Sequence, residues 1–224
     1  PYSVHLPEGL TAKSAKGLPV VISLHGRGEP TWVFAEKNGW DLLADETKEF
    51  IVVFPDSKDN IWQIERDDHA IEAILIDLSK HIDYDPQRVY LTGFSNGAIY
   101  TCQQASTYPW LFAAASPWNG PDMSLCLSDK IASYVYHPSF ISSGYDMPFW
   151  IIVGDNDTKA GPHRQDELDI LLPVNDCLKD HEMLIDHYTP AHHYEYGDRF
   201  QTKIYRNAHS SIRVGLTVMK NMPH

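Results

Sequence analysis

A chain of 224 residues with 43% hydrophobic and 21% charged residues suits one large globular domain over 1–224. Its formal net charge of -12 argues against nucleic acid and against an anionic membrane surface as partners, since both would be repelled at long range. No apolar run approaches the roughly 18 residues that cross a bilayer, and the cysteines Cys102, Cys126 and Cys177 are too few and too scattered for a disulfide framework or a zinc site.

Along the chain, short apolar runs alternate with amphipathic helical patterns, the signature of an α/β fold. The runs at 19–24, 50–54, 88–92 and 148–153 are β-branched, aromatic and almost wholly apolar, as strands covered on both faces are, and they predict a mostly parallel sheet. Between the second and third runs, Ile71, Ile74, Leu75, Leu78 and Ile82 recur at helical spacing and predict a crossover helix. Asp67 and Asp68 stand where they would cap it. Residues 111–118 add a short strand ending in a proline turn, and 200–205 and 212–219 read as two strands joined by the polar turn Asn207-Ala208-His209-Ser210-Ser211. Segments 121–147 and 160–198, rich in Pro, His, Tyr and Asp, read as loops with short helices over the sheet's edge, where specificity would reside.

The sharpest local signal is Gly93-Phe94-Ser95-Asn96-Gly97, which follows a strand pattern directly and opens a helical one over 98–105. In that context G-x-S-x-G predicts a nucleophile elbow with Ser95 as the nucleophile. The serine must sit in a strained turn with its hydroxyl exposed, and glycines two residues to either side let neighbouring backbone approach without a Cβ clash. The bland alternative is a tight structural turn.

An elbow needs backbone donors for the negative charge that develops on the substrate oxygen. One is the amide after the serine, Asn96; the other is expected in the loop after an earlier strand, where Leu24-His25-Gly26-Arg27-Gly28 places Arg27 first and Gly28 next. His25 itself reads as a packed loop residue. A carboxylate should follow a later strand to fix the tautomer of a catalytic imidazole. Gly154-Asp155-Asn156-Asp157 offers two, and Asp157, past the reversal of the turn, is favoured over Asp155, which would cap the turn.

Together these stretches resemble the esterase and polyhydroxybutyrate depolymerase-like branch of the α/β-hydrolases, which includes many feruloyl esterases. The matching residues are Leu18-Pro19-Val20-Val21-Ile22-Ser23-Leu24-His25-Gly26, Asn38-Gly39-Trp40 with Leu43-Ala44, and Phe54-Pro55-Asp56. They continue with Ile82-Asp83-Tyr84-Asp85-Pro86-Gln87-Arg88-Val89-Tyr90, which leads into Thr92-Gly93-Phe94-Ser95-Asn96-Gly97-Ala98. Asp-Pro-x-Arg-Val-Tyr ahead of the elbow makes the match more specific than a serine motif alone. The resemblance spans nearly the whole sequence. It implies an α/β-hydrolase fold, with helices on both faces of a mostly parallel central sheet. It also implies hydrolysis of a small-molecule or polysaccharide-linked carboxylic ester, feruloyl esters among them, by an acyl-enzyme route with no metal or organic cofactor. Relatives begin with an extra edge strand and end with a helix beyond the histidine, and this chain is expected to lack both.

His224 is favoured over His209 as the base, and both follow the acid in the Ser, Asp, His order. If the strand at 212–219 runs parallel to the one ending at Val153, its C-terminal end lies at the active edge of the sheet and delivers His224. His209 would then sit at the far end, roughly 25 Å away at about 3.3 Å per residue. Lys220-Asn221-Met222-Pro223-His224 also resembles the family's histidine loop. A parallel strand at 200–205 would reverse the assignment.

Other residues carry weaker signals. His163, His192, His193 and His209 are scattered loop histidines without the carboxylate or cysteine pattern of a zinc site, and no metal is expected. Trp62, Trp118 and Tyr145 are candidates for an aromatic acyl pocket or for capping the core. Cys102, two helical turns past Ser95, reads as a packing residue. A peptidase of the same fold, a 3-hydroxyalkanoate esterase and a catalytically silent binding protein are the rival functions. The first residues lack the layout of a signal peptide, but a signal already removed would leave the same beginning, so secretion, compartment and oligomeric state stay open.

Overall fold

The computed structural model describes residues 1–121, 123, 147–177, 192–196 and 199–224, with the backbone alone for 176, 177 and 192–196. Cys126 and Tyr145 lie outside the described residues, as do the side chains of His192 and His193.

Among the described residues, nine strands form one sheet with the order β1-β3-β2-β4-β5-β6-β9-β8-β7. Its parallel centre comprises β2 (Val20–Leu24), β3 (Ile51–Pro55), β4 (Val89–Phe94), β5 (Ala114–Trp118), β6 (Phe149–Gly154) and β9 (Ile212–Met219). Antiparallel strands flank it: β1 (Tyr2–His5) on β3, and β8 (Phe200–Arg206) with β7 (His192–Tyr196) beyond β9.

The apolar runs form these strands because both faces are covered. Along β3, Ile51 and Val53 enter the main core, while Val52 and Phe54 pack with Ala44 of α2 (Trp40–Thr47) in a second cluster on the opposite face. The main core continues with Ile71, Leu75 and Leu78 of α4 (Ala70–Leu78) and Ala98, Tyr100 and Cys102 of α5 (Asn96–Thr107). Burying each such leucine or isoleucine contributes roughly 1.5–3 kcal/mol. Two short helices complete the faces: α1 (Thr31–Asn38), which passes into α2 through Gly39 at φ 74°, and α3 (Ile64–Asp67) ahead of α4. A further helix, α6 (Arg164–Leu172), buries Leu168, Leu171 and Leu172.

Two expectations are corrected, on the capping of α4 and on segment 160–198. Asp67 and Asp68 do not cap α4, whose N-terminus receives no side-chain cap. Asp67 instead accepts from the Gln63 amide and Arg66, while Asp68 accepts from Tyr108 and Gln103, tying α3 to α5. Tyr2–His5 forms an edge strand on β3, held by Tyr2 Oη donating to Asp77 and by His5 against Asp45. Its four residues are at least partly exposed, so no apolar run announces them. The segment 160–198, expected as loops and short helices, also supplies β7, a polar edge strand with the same weak signature.

Candidate active site

The C-terminal ends of the parallel strands deliver Ser95, Asp157, His224 and the loop carrying Arg27 to one edge of the sheet, the edge where open α/β sheets bind ligands. β4 leads straight into Ser95, which adopts φ 53° and ψ -113°, a sparsely populated conformation for a residue with a side chain. The flanking glycines are there for close approach. A Cβ at Gly93 would lie 2.5 Å from the Gly97 carbonyl oxygen, and one at Gly97 would lie 2.5 Å from that of Leu24. The elbow is therefore pressed against the end of β2.

Ser95 Oγ stands 2.8 Å from His224 Nε2, and His224 Nδ1 stands 2.9 Å from Asp157 Oδ2. Asp157 is only 2% exposed, and its other oxygen accepts the amides of Lys159 at 2.8 Å and Ala160 at 3.0 Å. Burial by itself pushes the carboxyl up, but the Ala160 amide, His224 and the Lys159 amide outweigh it and hold the group below the usual carboxylate range. An ionised Asp157 accepts a hydrogen bond from Nδ1–H and so keeps the proton on that nitrogen, which leaves Nε2 free to accept from the serine hydroxyl.

The histidine loop is fixed from several sides. β9 runs parallel to β6 with Met219 opposite Gly154, so the residues after Met219 pass directly over the loop after β6. The Asn221 amide donates to Asp155 Oδ1 at 2.6 Å, and a Cβ on Gly154 would collide with the Met222 carbonyl. Asp155 thus anchors the loop that carries His224. The sequence reading missed Asn119. It is 1% exposed at a φ of 45°, accepts from the Gly154 amide at 2.8 Å and donates to the Pro223 carbonyl at 3.4 Å, bridging the acid and histidine loops. Its only sequence signal is an Asn-Gly pair just past a strand, a place where asparagine tolerates positive φ.

His209 is not brought to Ser95. It lies exposed in the turn between β8 and β9, where its amide donates to Asn207 Oδ1. That turn leads into the N-terminal end of β9, the end opposite the elbow.

Around the elbow, Asn96 opens α5, so its amide is among those a helix leaves without an internal acceptor. Of the two amides considered after β2, that of Gly28 donates to the Asn60 carbonyl at 2.7 Å. Among the described residues the Arg27 amide has no acceptor. His25 is fully buried, with Nδ1 2.8 Å from the Gly26 carbonyl and Nε2 3.0 Å from Ser57 Oγ. Burial pushes its pKa down, with the Gly26 carbonyl and the charges of Asp56 and Glu29 acting in the opposite sense.

Trp62 is a core plug, 4% exposed and stacked on Tyr100 at 4.8 Å between ring centroids. Trp118, in contrast, lines a cavity of about 570 Å³ beside His224, together with Phe34, Phe94, Ile152 and Met222. Cys102 is buried with its Sγ 3.5 Å from Met123 Sδ. Among the described residues no group of three or more His, Cys, Asp or Glu side chains is placed to hold a metal ion, and no helix is long and apolar enough to cross a membrane.

No known family profile matches the chain. It is similar to poly(3-hydroxyalkanoate) depolymerase C of Paucimonas lemoignei, 31% identical over 130 residues that make up 52% of this chain and 30% of that protein. The bifunctional acetylxylan esterase/xylanase XynS20E of Neocallimastix patriciarum is 31% identical over 124 residues, 54% of this chain and 18% of that one. Feruloyl esterase B of Thermothelomyces thermophilus is 30% identical over 115 residues, 46% and 39% of the two chains. The matches thus span well under half the length of each of these relatives. Among solved structures, an acetyl xylan esterase from Aspergillus awamori superposes with a TM-score of 0.69 at 18% identity, over 100% of this chain and 88% of that one. The ferulic acid esterase of Anaeromyces mucronatus, solved with ferulic acid, gives 0.57 at 21% identity over 78% and 73% of the chains. The chain has the α/β-hydrolase fold.

Proposed function

We propose that this chain is a serine hydrolase of carboxylic esters that works through an acyl-enzyme, with acyl groups esterified to plant polysaccharides as its substrate class. The observation that carries the reading is the unbroken hydrogen-bonded chain from Ser95 through His224 to the buried Asp157. The similarity to acetylxylan and feruloyl esterases supports the substrate class.

In this reading His224 Nε2 takes the Ser95 proton as Oγ attacks the ester carbonyl carbon, and the carbonyl electron pair moves onto oxygen. The amides of Arg27 and Asn96 stabilise that oxyanion, and Asp157 stabilises the imidazolium. Collapse expels the alcohol, which leaves with the proton from Nε2. Water then repeats the attack on acyl-Ser95, with His224 again as base, and releases the acid while Ser95 regains its proton. No step calls for a metal or an organic cofactor.

The test is a substrate panel of feruloyl and acetyl esters of xylan fragments, short 3-hydroxyalkanoate esters and a proline amide. The reading predicts turnover of the sugar-linked esters well above that of the amide. Preference for the 3-hydroxyalkanoate esters would move the substrate to polyester fragments, and cleavage of the amide alone would contradict an esterase.

A further inference from the structure

The amides assigned to the oxyanion come from two separate loops, one after β2 and one after β4, which meet where Gly97 packs on the Leu24 and His25 carbonyls. A third segment, 57–62 after β3, touches both. The Trp62 amide donates to Asn96 Oδ1 at 2.8 Å, and Asn96 Nδ2 donates back to the Trp62 carbonyl at 3.2 Å. The Trp62 indole Nε1 donates to the His25 carbonyl at 3.0 Å. The same segment accepts the Gly28 amide on Asn60 and sets Ser57 Oγ 3.0 Å from His25 Nε2.

We infer that Trp62 is a positioning residue for the oxyanion hole, a single buried side chain whose backbone grips Asn96 and whose indole grips the loop carrying Arg27; this rests on the esterase reading. The plate beneath it is held by further contacts. Trp62 stacks nearly parallel on Tyr100, at 8°, and lies 5.1 Å from the His25 ring. Tyr100 Oη donates to the Asp67 carbonyl, and Arg66 donates to the carbonyls of Lys58 and Ile61, so the segment is tied down on its outer side as well. At 4% exposure the indole is not available to substrate. Its effect is to hold the spacing of donors that matter most once charge has developed, so its loss weakens the transition state more than the bound substrate.

Trp62→Phe keeps an aromatic ring on Tyr100 and removes the indole donor together with part of the buried ring system, while Asn96→Ala removes the side-chain grip and leaves the Asn96 amide in place. The panel's preferred ester gives kcat and KM, and a trifluoromethyl ketone that forms a tetrahedral adduct on the serine gives an inhibition constant. Each variant is expected to lose roughly 10- to 100-fold in kcat with KM within about twofold. The ketone's inhibition constant should rise by the factor by which kcat/KM falls. The double variant should lose less than the product of the two single losses, because both act on one clamp. If Trp62→Phe does not fold, Asn96→Ala at the half-buried start of α5 carries the test alone. A kcat within about twofold of the parent in the folded variants, or a reduced kcat with unchanged ketone affinity, overturns the inference. A parent protein that hydrolyses no ester and takes no fluorophosphonate on Ser95 overturns the esterase reading instead, and the inference with it.

Discussion

The Asn221 amide donates to Asp155 Oδ1 at 2.6 Å, while Asp157, two residues on, meets His224 at 2.9 Å. One short turn after β6 therefore supplies both the partner of the imidazole and the anchor of the loop that carries it. Asp157→Asn should lower kcat by about four orders of magnitude, since the amide no longer enforces the Nδ1 proton. Asp155→Asn keeps an oxygen that can accept from Asn221 and should lower kcat less than tenfold, or about 1 kcal/mol. Steady-state kinetics of the two variants on one ester check the ranking, and the reverse order would transfer the acid's role to Asp155.

His224→Ala should abolish turnover to within about a thousandth of the parent rate, and His209→Ala should leave most of it. His209 sits in the turn between β8 and β9, at the wrong end of a strand that runs parallel to β6. An inactive His209→Ala beside an active His224→Ala would contradict the assignment of the base.

Asn119→Ala removes both the acceptor of the Gly154 amide and the donor to Pro223, and replaces a residue held at positive φ. Lost buried hydrogen bonds should destabilise the fold by about 1–3 kcal/mol. The loosened histidine loop should also reduce kcat more than KM. Urea unfolding and kinetics read the two effects separately, and an unchanged kcat in a folded variant would show that the loop is held without Asn119.

Much of this arrangement was legible in the sequence. The elbow announces itself because a strained serine between close-packed glycines has few other sequence solutions, and the alternation of β8 and β9 around a polar turn points to His224. Edge strands β1 and β7 were not legible: β1 is partly exposed and needs no apolar run, and the sequence of β7, His-His-Tyr-Glu-Tyr, contains none. Nor were Asn119 and the contacts of Trp62: each joins segments that only the sheet order β3-β2-β4-β5-β6 brings together.

The pKa of the buried His25 is depressed in the fold below its ordinary value near 6.5. A group so depressed contributes its full stabilisation above the unfolded value and loses it as pH falls from there toward the folded value. Asp56 and Glu29 temper the effect without reversing it. The melting temperature should therefore decline between pH 7.5 and 5 more steeply in the parent than in His25→Gln, which carries no titrating ring. Parallel declines measured by calorimetry would show that His25 does not titrate out of its native state in this range.

The most direct test of the hydrolase reading is labelling with a fluorophosphonate, followed by mapping of the modified peptide by mass spectrometry. The hydrogen-bonded chain from Ser95 to Asp157 predicts one stoichiometric adduct on Ser95, absent in Ser95→Ala and slowed at least about a hundredfold in His224→Ala. An adduct on another residue, or a Ser95 that stays unmodified while the protein is folded, would contradict it.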